Sequence, residues 1–259
     1  MTLSVITICF NNLGELKETC ASVDMQTKLP TEHWIVDGSN NDEIKKWLES
    51  QTQPNYRKWI CERDNGIADA FNKGIERCTG TITQLLNSGD TFFDKTVLAQ
   101  VIDFFQQDDS LMWCHGKLHM LRGGLWVNIG KPFEKGKLYR GMRGTLHPTM
   151  FVKRILYQKY GLFDLNLKMA MDYDFLCRIA NEKNGFIDYP LVRFDPHGIS
   201  SEKYLDAMYE SYAAYRKYYG NSLPQRVWAI RQTCLYYLLE SKFGKWLFKL
   251  KVKMGMENT

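Results

Sequence analysis

Hydrophobic and polar positions alternate in blocks along the first hundred residues. Residues 3–10 (LSVITICF) are a β-branched run closed by Asn11-Asn12, the pattern of a buried first strand. Leu13, Leu16, Cys20 and Val23 then recur at helical spacing, with the asparagines placed to cap. Trp34-Ile35-Val36 reads as a second strand ending in Asp37-Gly38-Ser39, and Ile44, Trp47 and Leu48 mark a second helix. A short strand is expected at 59–61. Ile67, Phe71, Ile75 and Cys78 put one apolar face on a helix that stops near Gly80. Residues 82–86 form the next strand and 97–105 a further helix. This alternation predicts an α/β fold with a mostly parallel sheet covered by helices on both faces.

After about residue 110 the rhythm changes. Residues 112–114 and 125–129 look like strands around a Gly-rich turn, and 131–144 is a basic, Gly-rich loop. Residues 149–152 are strand-like, 173–180 helical, and 186–189 a last strand ended by Pro190. From Glu202 onward a helical tail is expected, broken by Gly220 and Pro224. No internal repeat or low-complexity stretch appears.

Composition narrows the class. With 259 residues, 44% apolar and 14% aromatic, the chain can bury one large α/β core with a tail. No apolar run reaches the ~18 residues of a membrane span. The start, MTLSVITICF, has no basic region, so no cleaved signal peptide is expected. Seven cysteines without a Cys-x-x-Cys pair predict reduced thiols in a cytoplasmic protein, with Cys9, Cys61, Cys114 and Cys234 as core fillers. The net charge of +5 is uneven: residues 1–200 hold 24 basic and 24 acidic side chains, residues 201–259 hold 10 and 5. A neutral body argues against nucleic-acid binding, and the basic end points to an anionic surface.

The most informative stretch is 62–90, ERDNGIADAFNKGIERCTGTITQLLNSGD: a polar loop, an amphipathic helix, a buried strand and an acidic turn. Ligands of open α/β sheets bind outside the carboxyl ends of strands, where Asp90 is placed to hold a metal against a phosphate. Three segments carry a wider pattern. They are Ser4–Asn11 with Ile35-Val36-Asp37-Gly38-Ser39-Asn40-Asn41-Asp42; Asp64-Asn65-Gly66-Ile67-Ala68-Asp69-Ala70-Phe71-Asn72-Lys73-Gly74 with Leu86-Asn87-Ser88-Gly89-Asp90; and Gly161-Leu162-Phe163-Asp164 with Met171-Asp172-Tyr173-Asp174. Together they resemble the inverting glycosyltransferases of family 2, which have the Rossmann-like GT-A fold, over roughly residues 3–200. The second segment is especially similar to the subgroup that builds bacterial surface polysaccharides such as capsule, O-antigen or exopolysaccharide. The resemblance implies a catalytic domain over 1–200, its nucleotide-binding half at about 1–110 and its acceptor side at 111–200, followed by a basic helical extension over 201–259.

It also implies roles. The family's acidic motif ends in an Asp that binds Mg²⁺ or Mn²⁺ on the donor diphosphate, and Asp90 matches it. Here the turn reads Asn-Ser-Gly-Asp, without two carboxylates often seen before that Asp. Phosphate and water would then complete the ion's shell, and weaker metal binding is expected. Asp172 matches the general base, which takes the proton of the attacking sugar hydroxyl; an N-cap of a helix starting at Tyr173 is its plainer role. Asp174 ranks second. Asp37, Asp64, Asp69, Lys73 and Asn87 are assigned to the nucleotide end. Asp37 would meet a uracil N–H, although many relatives have a second Asp where Gly38 stands. Asp69 and Lys73 face ribose and phosphate, or simply pair at i,i+4; Asn72 only caps or packs. His197 lies where a loop folds over the donor, and His147 where the acceptor or sugar pocket is lined. Arg140 and Arg143 contact diphosphate or an anionic acceptor, or belong to a solvated loop.

The implied reaction moves a sugar from a nucleoside-diphosphate donor, UDP-linked by preference, to a hydroxyl of a saccharide or lipid-linked saccharide. In residues 242–254, Lys242, Lys245, Lys249 and Lys253 share one helical face beside Phe243, Trp246, Leu247, Leu250 and Met254. That is the pattern of a peripheral contact with anionic membrane, here the inner face of the plasma membrane, or of a helix packed on the body or a partner. Two other readings stay open: a catalytically silent relative that binds saccharide or a partner, and a sugar nucleotidyltransferase, whose basic loop after strand one is absent here.

Overall fold

In the computed structural model, which describes residues 1–50, 52–122, 124–194 and 204–241, the early strand–helix alternation builds a parallel sheet. β1 (Leu3–Cys9), β2 (Glu32–Asp37), β3 (Arg57–Cys61) and β4 (Ile82–Leu85) run parallel in the order β3-β2-β1-β4. The connections are α1 (Leu13–Asp24), α2 (Glu43–Ser50) and α3 (Ile67–Arg77). Side chains of a strand alternate between faces, and both faces are covered. Ile6 and Val36 pack with Phe71 and Ile75 of α3; Cys9 and Ile35 pack with Leu16 and Cys20 of α1 and Ile44 and Leu48 of α2. The strand order reverses between β1 and β4, so their carboxyl ends flank the crevice where open α/β sheets hold ligands.

The second half extends this sheet. Its elements are β5 (Thr91–Phe92), α4 (Val97–Gln107), β6 (Trp113–Arg122), β7 (Leu125–Ile129), β8 (Phe151–Lys153), α5 (Ile155–Tyr160), α6 (Met171–Ile179), β9 (Asn184–Phe194), α7 (Tyr204–Tyr219) and α8 (Leu223–Glu240). β8 lies antiparallel between β4 and β6, β9 runs parallel to β6, and β5 and β7 pair antiparallel with β9 and β6. The described residues thus form one mixed nine-stranded sheet. None of their helices is long and apolar enough to cross a membrane.

Several expectations need correcting. Pro190 does not end the last strand. It sits inside β9 opposite Lys117, where the register with β6 shifts on both sides of that lysine. A bulge removes the ladder position at which the missing proline N–H would be felt. β5 and α5 are too short to leave a periodic signal. Cys61 and Cys234 are exposed, whereas Cys9 and Cys114 are buried. α7 stops at Gly220, whose φ is +70°, and α8 opens with a Ser222 cap and Pro224 in its first turn. Pro224 therefore starts a helix, its missing N–H costing nothing there.

Candidate active site

The loops leaving β1, β2 and β4 are laced together by asparagines and serines. Asn11 has φ 54°, the only non-glycine among the described residues with positive φ, a conformation Asn tolerates better than most residues. So turned, its N–H donates to Ser39 Oγ at 2.8 Å and its Oδ1 accepts from Asn41 Nδ2 at 2.9 Å. Asn12 Nδ2 donates to Ser88 Oγ in the turn after β4. The strand ends form one polar rim.

Asp90 lies at the end of this rim and is 2% exposed. Thr19 of α1 holds its turn from behind: the hydroxyl donates to the Asp90 carbonyl at 2.8 Å and accepts from Gly89 N–H at 2.9 Å. Asn87 Nδ2 donates to Asp90 Oδ2 at 3.3 Å, so Asn87 orients the carboxylate. No group of three His, Cys, Asp or Glu among the described residues is arranged to hold a metal. A hard carboxylate oxygen suits Mg²⁺ or Mn²⁺, but this donor set fits only an ion shared with ligand oxygens.

Among the residues expected at the nucleotide end, Asp37 is buried at the tip of β2, its Oδ1 accepting from Ser39 N–H at 3.0 Å. A Cβ placed on Gly38 would stand 1.8 Å from Asp64 Oδ2. The Asp64 carboxylate therefore fills the space that a side chain at position 38 would need, bringing it beside Asp37. Asp64 Oδ1 accepts from Gly66 N–H at 3.0 Å, which fixes the approach to α3. Asp69 and Lys73 do form an ion pair, 3.6 Å apart. Asp69 Oδ2 also accepts from Asn65 N–H at 2.8 Å, and Lys73 Nζ donates to the Arg63 carbonyl at 2.6 Å. In this structure the pair braces the loop between β3 and α3. Asn72 packs: its amide makes two 2.9 Å hydrogen bonds with the backbone of Phe163.

Asp172 occupies the first turn of α6, which begins at Met171, so it is not the cap; Ala170 is. Its Oδ1 accepts from Tyr173 N–H at 2.7 Å. Asp172 and His147 line one small cavity, about 10 Å³, together with Phe163 and with Leu85 of β4. β4 is the strand that leads to the Asp90 turn. Although an edge of Asp172 stays open, its carboxyl is enclosed, and burial pushes its pKa up. His147 and the Tyr173 N–H pull it back, and Glu210 adds to the rise. Burial lowers the His147 pKa, against the pull of Asp172. Its buried Nε2 has no hydrogen-bond partner among the described residues. Asp174 differs. It is 1% exposed and committed to Arg178 at 3.0 Å, Lys217 at 3.4 Å and Tyr218 Oη at 2.9 Å.

The loop entering α6 is held from α7. Glu210 accepts from the backbone N–H groups of Lys168 at 2.9 Å, Met169 at 2.6 Å and Ala170 at 2.7 Å. One carboxylate thus satisfies three donors just ahead of Asp172.

A family model described as glycosyl transferase family 2 matches residues 4–163, more than half of the chain. The chain belongs to this family. An uncharacterized glycosyltransferase of Mycobacterium tuberculosis is 32% identical over 212 residues, 80% of each chain. A PGL/p-HBAD biosynthesis glycosyltransferase of Mycobacterium bovis is 26% identical over 68% of each. Among solved structures, S. aureus TarS superposes with a TM-score of 0.65 at 17% identity, covering 93% of this chain and 44% of TarS. Residues 1–349 of TarS with UDP-GlcNAc give 0.64 at 16% identity, over 88% of this chain and 70% of that one. A Pyrobaculum calidifontis mannosyltransferase in complex with GDP-Man and Mn²⁺ gives 0.58 at 16%, over 94% and 82%. These likenesses show a GT-A-type fold, and the family makes the chain a glycosyltransferase.

Within this glycosyltransferase, His197 and residues 242–254 lie outside the described residues. Arg140 and Arg143 lean on α8 from a largely exposed segment, and Arg143 is itself exposed. Their guanidinium groups stack 5.2 and 5.1 Å from the Trp228 ring of α8, and Arg143 donates to Gln232 Oε1 at 2.8 Å. Thr19 and Glu210 were not visible from sequence, because each acts on backbone atoms far along the chain and belongs to no motif.

Proposed function

We propose that this glycosyltransferase moves a sugar from a nucleoside-diphosphate donor, UDP-linked by preference, to a hydroxyl of a saccharide or lipid-linked saccharide with inversion, in the making of a bacterial surface polysaccharide. The observation that carries the reading is the enclosed Asp172 carboxyl, raised in pKa, in one cavity with His147 and the strand leading to Asp90. Asp172 accepts the acceptor's hydroxyl proton as the new oxygen–carbon bond forms. The bond from the anomeric carbon to the diphosphate breaks on the opposite face, and its electron pair leaves on phosphate. His147 lines the same cavity on the side of the acceptor or donor sugar. Asp37 and Asp64 read the base, while Asp69 and Lys73 shape the loop toward ribose and phosphate, and His197 supplies a contact to the donor. Asp90, oriented by Asn87, would hold a Mg²⁺ or Mn²⁺ ion whose charge offsets that gathering on the leaving diphosphate. Two solved neighbours support a nucleotide-sugar donor, one holding UDP-GlcNAc and the other GDP-Man with Mn²⁺. The reading includes peripheral contact of residues 242–254 with anionic lipid at the cytoplasmic face.

The test pairs a thermal-shift screen of nucleoside diphosphates and their sugars, with and without Mn²⁺, with transfer from the stabilising donor to saccharide acceptors. Asp172→Asn is expected to keep the donor-induced shift and lose on the order of 10²–10⁴-fold in transfer. Near-normal transfer by this variant would end the base assignment.

A further inference from the structure

α8 carries a second surface, just ahead of the lysine-rich residues 242–254. At about 100° per residue, Leu223, Val227, Ile230, Cys234, Tyr237 and Leu238 fall within an arc of roughly 100°. Their exposures are high for apolar side chains: Leu223 74%, Val227 56%, Ile230 65%, Tyr237 61% and Leu238 43%. Cys234 between them is exposed too. The opposite face is the one that packs: Gln225 and Gln232 are buried, and Trp228 meets Arg140 and Arg143. Thus α8 is docked on the body by its polar-aromatic side and turns its apolar side outward, the reverse of an ordinary surface helix.

The edges of the arc say what covers it. Arg226 and Arg231, both exposed, lie one step beyond the arc on either side. After Glu240, the next five charged residues of the chain are Lys242, Lys245, Lys249, Lys251 and Lys253. An apolar stripe about 22 Å long, edged by arginines, matches a surface that is oily beneath and anionic at its boundary. A second copy matches less well, since face-to-face helices would set one arginine edge against another. Tyr237 adds a ring with a polar tip, suited to the headgroup level.

We propose that the outward face of α8 is a docking surface for an anionic lipid bilayer, with Val227 and Ile230 at its apolar centre and Arg226 and Arg231 at the headgroups. This rests on and deepens the peripheral-contact part of the proposed reading, and it stands without the glycosyl-transfer part, because the test reads lipid binding and not activity.

The experiment uses the full chain with vesicles of phosphatidylcholine alone and of phosphatidylcholine with phosphatidylglycerol. Wild type is expected to sediment with the anionic vesicles and to be released by salt. An environment-sensitive dye on Cys234, with Cys61→Ser to remove the other exposed thiol, should shift to the blue on binding. The double variant V227E/I230E should bind anionic vesicles on the order of tenfold more weakly or worse, with unchanged melting. R226E tests the edge separately and should weaken binding without altering the apolar face. Wild-type sedimentation by V227E/I230E would overturn the proposal and leave binding to the lysine-rich segment alone. A blue shift that depends on protein concentration without vesicles, with a doubled mass by light scattering, would also overturn it in favour of a second copy.

Discussion

Removing the Glu210 carboxylate should change both stability and the acid limb of activity, and the two effects separate by substitution. In the folded chain Oε1 accepts from Lys168 N–H, while Oε2 accepts from both Met169 and Ala170. Lys168 is exposed, so water can replace its partner; Ala170 is 2% exposed and its N–H would be stranded. A hydrogen bond to a charged group contributes about 1.5–3 kcal/mol, so Glu210→Ala, which strands one donor and weakens another, should cost about 3 kcal/mol. For a chain this long that is a fall in melting temperature of about 6–12 °C. Glu210→Gln can keep its amide oxygen on the Met169 and Ala170 pair and turn its NH₂ toward the wet Lys168 position, costing about 1 kcal/mol. Geometry around Asp172 then survives, but the negative charge that helps raise the Asp172 pKa is gone. A base must be ionised to act, so activity falls as pH drops through its pKa. The acid limb of kcat should therefore move to lower pH in Glu210→Gln and not in a neutral surface control. Melting curves and a pH–rate profile of both variants check this. An unmoved limb with a lowered melting point would reduce Glu210 to a structural brace, and wild-type melting of Glu210→Ala would refute the bonding argument itself.

Other outcomes follow from single contacts. Gly38→Ala must push the Asp64 carboxylate aside by roughly 1.5 Å or more, and the loss of one charged hydrogen bond to donor predicts roughly tenfold weaker nucleotide binding by calorimetry; unchanged affinity would remove Asp64 from the nucleotide end. Asp90→Asn should abolish the Mn²⁺-dependent part of any donor-induced thermal shift while leaving the metal-free part; an intact metal-dependent shift would place the ion elsewhere. At the opposite end of the sheet, burial pushes the Glu32 carboxyl up, but hydrogen bonds from Thr79, Ser4 and Lys58 outweigh it and hold the pKa at about 2 against an ordinary 4.5. A lowered pKa stabilises the fold above about 4.5, and that contribution is lost as pH falls toward about 2. Glu32→Gln should melt lower than wild type at pH 7 and converge with it as pH falls to about 2 in a melting series; a constant gap would sink the argument. His115 is fully buried with neither ring nitrogen bonded among the described residues, so His115→Phe should raise the melting point, and a fall would point to a hidden partner.

What could be read in advance was whatever is written locally. β1 to β4 and their helices announce themselves by period, since each strand needs both faces buried and each helix one. Asp90 and Asp172 stand in short motifs whose residue types the proposed chemistry requires. The second half was harder. β6 runs over ten residues through His115, Gly116 and Lys117, and β9 through Pro190, because pairing on both sides and a shared bulge override local preference.

The same logic separates the chemistry from what holds it. A carboxylate that takes a proton must be an Asp or Glu near a fixed point of the fold, and a motif can record that. A group that merely steadies backbone can come from anywhere the chain returns, and Glu210 reaches its three N–H partners from 40 to 42 residues downstream. The helix that supplies it also gives Lys217 and Tyr218 to Asp174, tying up the rival carboxylate two residues from Asp172. α7 thus acts on both candidate bases at once, enclosing one among cations and leaving the other facing a cavity. Lys217→Ala with Tyr218→Phe would loosen Asp174 without touching Asp172. If Asp172 is the base, this pair should lower stability while transfer per folded molecule stays within a few-fold; a collapse of transfer matched by Asp174→Asn, with Asp172→Asn still active, would exchange their roles.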